Sequence, residues 1–107
     1  MKYFSVVEIS AEPECGIQGF YKTVSDLMKY PAKAREMGIE GSVFVEFIIN
    51  KDGTFSDVRI IKGIGAKCDV EAVRVFQESS KRCKWLPGMQ MGKPVRQRYT
   101  LPIIFKI

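Results

Sequence analysis

Few residues in this chain can do chemistry on their own. There is no histidine, which removes the Ser-His-Asp and Cys-His arrangements and the usual zinc site. The run GMQMGK at residues 88–93 has the look of a phosphate loop, yet its glycine spacing is one residue short. Pro94 also stands where a Ser or Thr would hold magnesium. Asp52 and Asp57 lie near a turn and are read as turn or surface residues, since nothing marks them as an acid/base pair. The three cysteines, Cys15, Cys68 and Cys83, lack CxxC spacing. Cys68 and Cys83 flank one expected helix, about 20 Å apart at 1.5 Å per residue, too far to bridge each other. A bridge involving Cys15 stays open, with buried free thiols as the default expectation. No enzyme is expected, and no cofactor or metal.

What remains is main-chain hydrogen-bonding chemistry. From Val95 the odd positions run Val95, Gln97, Tyr99, Leu101, Ile103, Phe105 and Ile107, the period-2 pattern of a long strand with one buried face. Pro94 and Pro102 share the other parity. Residues of one parity in an antiparallel strand turn N–H and C=O toward the same neighbour, and proline has no N–H to give, so that side is expected to be a sheet edge. Arg96, Arg98 and Thr100 would then present unpaired donors and acceptors outward. Such an edge is either protected against aggregation or used to capture a strand. Seven cations and no acid follow Ser80, against +5 for the whole chain. The basic pole therefore coincides with the edge, which suits an acidic partner; the plainer reading is a solvated rim that keeps the edge soluble.

The elements that must hold this strand can be read in order. At 107 residues the chain makes one domain with a modest core, and no apolar run approaches the ~18 residues of a membrane span. Tyr3 to Ile9 is β-prone and would add an outer strand or lie extended over the sheet, and AEPECG reads as loop. Ile17, Phe20, Tyr21, Val24, Leu27 and Met28 form an amphipathic helical stripe, which Tyr30-Pro31 ends. Residues 32–37 make a second helical piece with Gly38 as its left-handed terminator. Residues 42–50 and 54–62 are strands joined by Asn50-Lys51-Asp52-Gly53, a hairpin turn. Val43, Val45, Phe47, Ile49, Val58 and Ile60 are placed on the core face. Phe44, Ile48, Phe55 and Ile61 are placed on the opposite one, which is too apolar for free exposure. The N-terminal segment, a partner subunit or neighbouring sequence would cover it. Asp69 is expected to cap the next helix, with Ala72, Val73, Phe76, Ser80 and Cys83 inward, and the final strand begins near Lys93. The result is an α+β fold of two layers, helices on one face of a three-stranded antiparallel sheet in the order 2-1-3, with a preceding N-terminal helix.

Residues 30–63, YPAKAREMGIEGSVFVEFIINKDGTFSDVRIIKG, are followed by Asp69-x-x-Ala72, Trp85-x-Pro87-Gly88, Gly92-x-Pro94-Val95 and Pro102-Ile103-x-Phe105. In this order they resemble the carboxy-terminal domain of TonB, the periplasmic energy transducer, in the variety common in Bacteroidetes-type bacteria. The resemblance divides the chain into an N-terminal extension, 1–29, and a TonB C-terminal-like domain, 30–107. It implies the same fold, a periplasmic location, and anchoring of the full-length protein in the inner membrane. The partner it implies is the TonB box of outer-membrane TonB-dependent receptors, added as a strand to Arg96, Gln97, Arg98, Tyr99, Thr100, Leu101 and Ile103. Force from the proton gradient, delivered by an inner-membrane proton-channel complex through the missing N-terminal part, would then unlock import of iron chelates, vitamin B12 or glycans. No cofactor is implied, and edge-to-edge pairing into a homodimer is a further expectation.

There are departures from the family. Between Ala72 and Trp85 the chain is longer by about three residues, roughly one helical turn. The family's Gly-Gly near the first helix stands here as Gly16-Ile17-Gln18-Gly19. The anchor and the proline-rich spacer are not in this sequence, which reads as a piece of a longer protein. An alternative is a TonB-like sensory or regulatory domain of a membrane signalling protein or peptidase. Nucleic acid is not expected as a partner, because the RNP1 aromatics of an RNA-binding sheet are lacking and Tyr99 has core parity.

Overall fold

The computed structural model describes Phe4 and residues 6–107. Its elements are β1 (Glu12–Pro13), α1 (Gly16–Leu27), α2 (Ala32–Glu36), β2 (Gly41–Ile49), β3 (Phe55–Lys62), α3 (Cys68–Arg82), β4 (Trp85–Leu86), β5 (Gly88–Gln90), β6 (Lys93–Val95) and β7 (Gln97–Phe105). Tyr3 and Ser5 of the β-prone run lie outside the described residues. The central sheet has the order β3-β2-β7 with both pairings antiparallel, so the last long strand lies against the first, as expected from Pro102. No helix among the described residues is long and apolar enough to cross a membrane.

The helical stripe of α1 buries Phe20 and Val24, with Tyr21 and Leu27 half-buried beside them. Its C-terminus is held by α3. Glu71 accepts the Lys29 N–H at 2.6 Å, and Arg74, paired with Glu71 at 2.6 Å, donates to the Leu27 carbonyl. Burial pushes the Glu71 carboxyl up, but the hydrogen bonds from Arg74 and Lys29 outweigh it and hold the group below its ordinary range. α2 closes with paired bonds from Gly38 to Arg35 and from Ile39 to Ala34, the Schellman arrangement, with Gly38 at φ 66.

Three expectations need correction here. Asp69 does not cap α3, whose N-cap is Lys67 in the left-handed region. Its carboxylate instead accepts the N–H groups of Ile64 and Gly65, and a side chain at Gly63 would collide with it. The buried stripe of α3 is Cys68, Glu71, Ala72, Val75, Phe76 and Ser79, so Val73 and Ser80 sit half-buried at its margins. Phe55 lies on the core side, its ring 5.1 Å from Phe76 and 5.2 Å from Phe47. A bulge explains this. Between the pairs Glu46↔Arg59 and Ile48↔Ser56 the register slips by one residue in β3, and Asp57 takes φ 52. An extra residue reverses which face the following side chains occupy. Phe55 thereby joins Val58 and Ile60 under the helices.

The opposite sheet face is correspondingly less apolar than expected. It carries the Glu46–Arg59 ion pair at 2.6 Å and the Asn50–Ser56 hydrogen bond, with Ile48 buried and Ile61 about half exposed. The core itself is an aromatic cluster. Trp85 meets Phe20, Phe47, Phe55 and Tyr99 at centroid distances of 5.4, 5.5, 5.9 and 5.4 Å.

The cysteine default is also overturned. Cys15 and Cys83 form a disulfide, leaving Cys68 as the buried free thiol, its acidity reduced first by burial and then by Asp69 and Glu71. Helix α1 had hidden this pairing. Cys15 precedes α1 and Cys83 follows α3, and because the two helices pack side by side these ends meet.

Candidate functional site: the outer edge of the last strand

β7 pairs with β2 along nine residues, from Gly41↔Phe105 to Ile49↔Gln97, and has no long strand on its other side. The expected single strand from Val95 is interrupted. Lys93–Val95 is β6, which folds back on Gly88–Gln90, and β7 starts after Arg96. Alternation then holds. Gln97, Leu101, Ile103 and Phe105 are buried, Tyr99 is half-buried against Phe47 and Trp85, and Thr100 and Ile104 are exposed.

The seven expected recognition residues therefore divide by parity. Leu101 and Ile103 are 3% and 0% exposed, so their side chains are core. Gln97 is 5% exposed; its Oε1 accepts the Ala11 N–H at 2.7 Å and its Nε2 donates to Ser10 Oγ at 2.9 Å. Gly88 makes room for it, since a Cβ there would stand 2.6 Å from Oε1. Arg96, Arg98 and Thr100 lie on the other parity. Arg96 donates to Asn50 Oδ1 at 2.9 Å, Arg98 stands opposite Ile48 in register, and Thr100 stands opposite Glu46.

The outward backbone is where the structure departs most from expectation. The edge is correctly sided, but it is not bare. Phe4 donates its N–H to the Arg96 carbonyl and accepts the Arg98 N–H, both at 2.8 Å, forming a parallel bridge at Gln97. Further along, the Tyr21 hydroxyl on α1 donates to the Pro102 carbonyl at 2.8 Å. Between these two contacts lies Thr100, exposed, whose N–H and C=O share the outward parity of Arg98 N–H. Sequence reading missed Phe4, Tyr21 and Ile104. Ile104 shares the parity of Pro102 and was legible; the other two are set by tertiary placement.

Fold and edge together define a small two-layer α+β domain whose C-terminal strand borders its sheet. The model of the Gram-negative bacterial TonB protein C-terminal family matches residues 26–107, and the chain belongs to that family. It is 31% identical over 78 residues to Protein TonB of Pseudomonas aeruginosa, covering 73% of this chain and 22% of that protein. To Protein TonB of Vibrio cholerae it is 32% identical over 80 residues, covering 74% and 31%. The chain thus spans under a third of the length of these relatives. Among solved structures, the NMR structure of Helicobacter pylori TonB-CTD superposes with a TM-score of 0.64 at 23% identity, over 85% of this chain and 79% of that one. The NMR structure of Pseudomonas aeruginosa TonB CTD gives 0.57 at 24% identity, over 100% and 96%. These two likenesses establish the fold.

Proposed function

We propose that this domain is the periplasmic end of a TonB-type energy transducer, and that it binds the TonB box of outer-membrane receptors by β-strand addition at the edge of β7. The observation that carries the reading is the outward backbone of Thr100 on a strand that pairs with β2 and, among the described residues, meets a single main-chain bridge, at Phe4, on its other side. An extended segment laid there would gain main-chain hydrogen bonds, with Arg98, Thr100 and Ile104 as the side chains beside it. Affinity would be modest and selectivity would come from those flanking groups.

Load applied to a captured strand would pass into β7 and from it, through nine residue pairs, into the central strand β2. The Cys15–Cys83 disulfide suits an oxidising compartment such as the periplasm. The full-length protein would be anchored in the inner membrane and coupled there to a proton-channel complex.

The test is an NMR titration of the domain with synthetic TonB-box peptides from receptors of the same genome. Capture at this edge is expected to move the amide signals of residues 98–104 and leave α2 unmoved. A folded domain whose spectrum does not respond to any of these peptides refutes the reading.

A further inference from the structure

The N-terminal segment meets the basic C-terminal part of the chain at two isolated bridges, Phe4 with Gln97 and Ile9 with Met89. Its root is firm. Cys15 is bonded to Cys83, Glu12 and Pro13 pair with Leu86 and Trp85, and Ala11 is 2% exposed with its N–H on Gln97. Its tip is held lightly. Ile9 exchanges two main-chain bonds with Met89 and Phe4 exchanges two with Arg96 and Arg98, yet Phe4, Val6 and Ile9 are 40%, 85% and 63% exposed. Main-chain bonds with little apolar burial mark a segment that opens at low free-energy cost.

We propose that this tip is an intrachain occupant of the recognition edge, which a receptor segment must displace. The proposal rests on strand capture by β7, and it adds the regulation of that site. The chemistry of the tip is that of a competitor. It bonds to the Arg96 carbonyl and to the outward Arg98 N–H of β7, and its Glu8 accepts the Met91 N–H at 2.8 Å in a C-terminal part that holds seven cations and no acid. Thr100, exposed beyond the point where Phe4 bonds, is where an incoming strand would start before stripping Phe4 from Arg98 and Arg96. The disulfide keeps the tip at high effective concentration after it is stripped, so the edge is covered again on release. The free domain would thereby avoid edge-to-edge pairing between copies.

The experiment compares the full chain with Phe4→Pro, which removes the N–H bonded to the Arg96 carbonyl, and with Ile9→Pro, which removes the N–H bonded to Met89. Both positions lie outside the core, and unchanged melting midpoints check that the fold is kept. The probes are a synthetic TonB-box peptide and a free peptide of residues 1–9, MKYFSVVEI. If the tip is docked about nine-tenths of the time, the variants bind the box peptide roughly tenfold more tightly than the parent. The free MKYFSVVEI peptide then reverses that gain in Phe4→Pro by competition. Equal affinity of parent and variants, with signals still moving at residues 98–104, overturns the proposal and leaves strand capture standing. Weaker binding by the variants also overturns it, because the tip would then be part of the site. Binding to none of the three removes the capture reading itself, and the proposal with it.

Discussion

Trp85 joins the two layers. It is 3% exposed and its ring touches one aromatic from α1, one from β2, one from β3 and one from β7. Edge-to-face contacts of this kind add to area burial rather than replace it. The indole Nε1 is buried without a hydrogen-bond partner among the described residues. Such an N–H weakens the site instead of supporting it. Two substitutions separate these effects. Trp85→Ala is expected to destabilise the domain by about 3–5 kcal/mol, the range for emptying a large aromatic site. Trp85→Phe keeps much of the ring volume and deletes the unpaired N–H, so its cost is expected to be clearly smaller. Denaturant midpoints at constant slope measure both; equal losses would mean that the indole nitrogen has a partner after all.

Between elements, the decisive link for the site is the one from α1 to β7. The Tyr21 hydroxyl on the Pro102 carbonyl closes one end of the outward edge, and burial, with Tyr99 second, pushes its phenol up to about 12. Below the unfolded-state value near 10 both states keep the proton and the link contributes in full. Between there and about 12 the unfolded chain ionises first, so the folded state holds more protons and stability falls as pH rises. The parent is expected to lose stability across that alkaline window more steeply than Tyr21→Phe, in thermal melts taken at a series of pH values; parallel curves would refute it. Element scale is also where sequence reading succeeds and fails. The α1 stripe, the Asp-Gly turn and Pro102 in the last strand obey local rules, and they place the helices, the hairpin and the sided edge, whereas Pro94 falls in β6 and marks no edge of β7. The bulge at Asp57 was hidden because it needs the partner strand to define it, so Phe55 was assigned to the wrong face. For Phe4 on Arg96 and Arg98, an outer strand from the N-terminal run is one of two readings the sequence leaves open, and only the tertiary placement shows the edge bonded at this point.

Across the whole molecule, the chain's two ends are stitched together between Phe4 and Arg98, and the disulfide is the covalent stitch. Cys15 and Cys83 are 68 residues apart in sequence, and both lie at helix ends on the side where the N-terminal segment meets β4. Closing so long a loop removes much of the freedom of the unfolded chain, about 4 kcal/mol by the chain-entropy estimate. That is a large share of the roughly 5–15 kcal/mol expected for a domain. The bond is therefore expected to matter twice, for stability and for holding the acidic segment against the basic part of the chain. Cys68 offers an internal control. Its thiol is fully buried and its acidity is reduced by burial, so it is a poor thiolate for exchange. Reduction of the native domain followed by alkylation is expected to label the exposed Cys15 first and Cys83, 6% exposed, more slowly, and to spare Cys68. The Cys15→Ser, Cys83→Ser double variant is expected to remain folded at 25 °C with a lower denaturant midpoint, reflecting a loss of about 4 kcal/mol, and to show faster amide exchange at Arg98 as the Phe4 contact loosens. An unchanged midpoint together with unchanged exchange at Arg98 would mean that the segment is held by β1, Ala11 and Gln97 without the covalent bond.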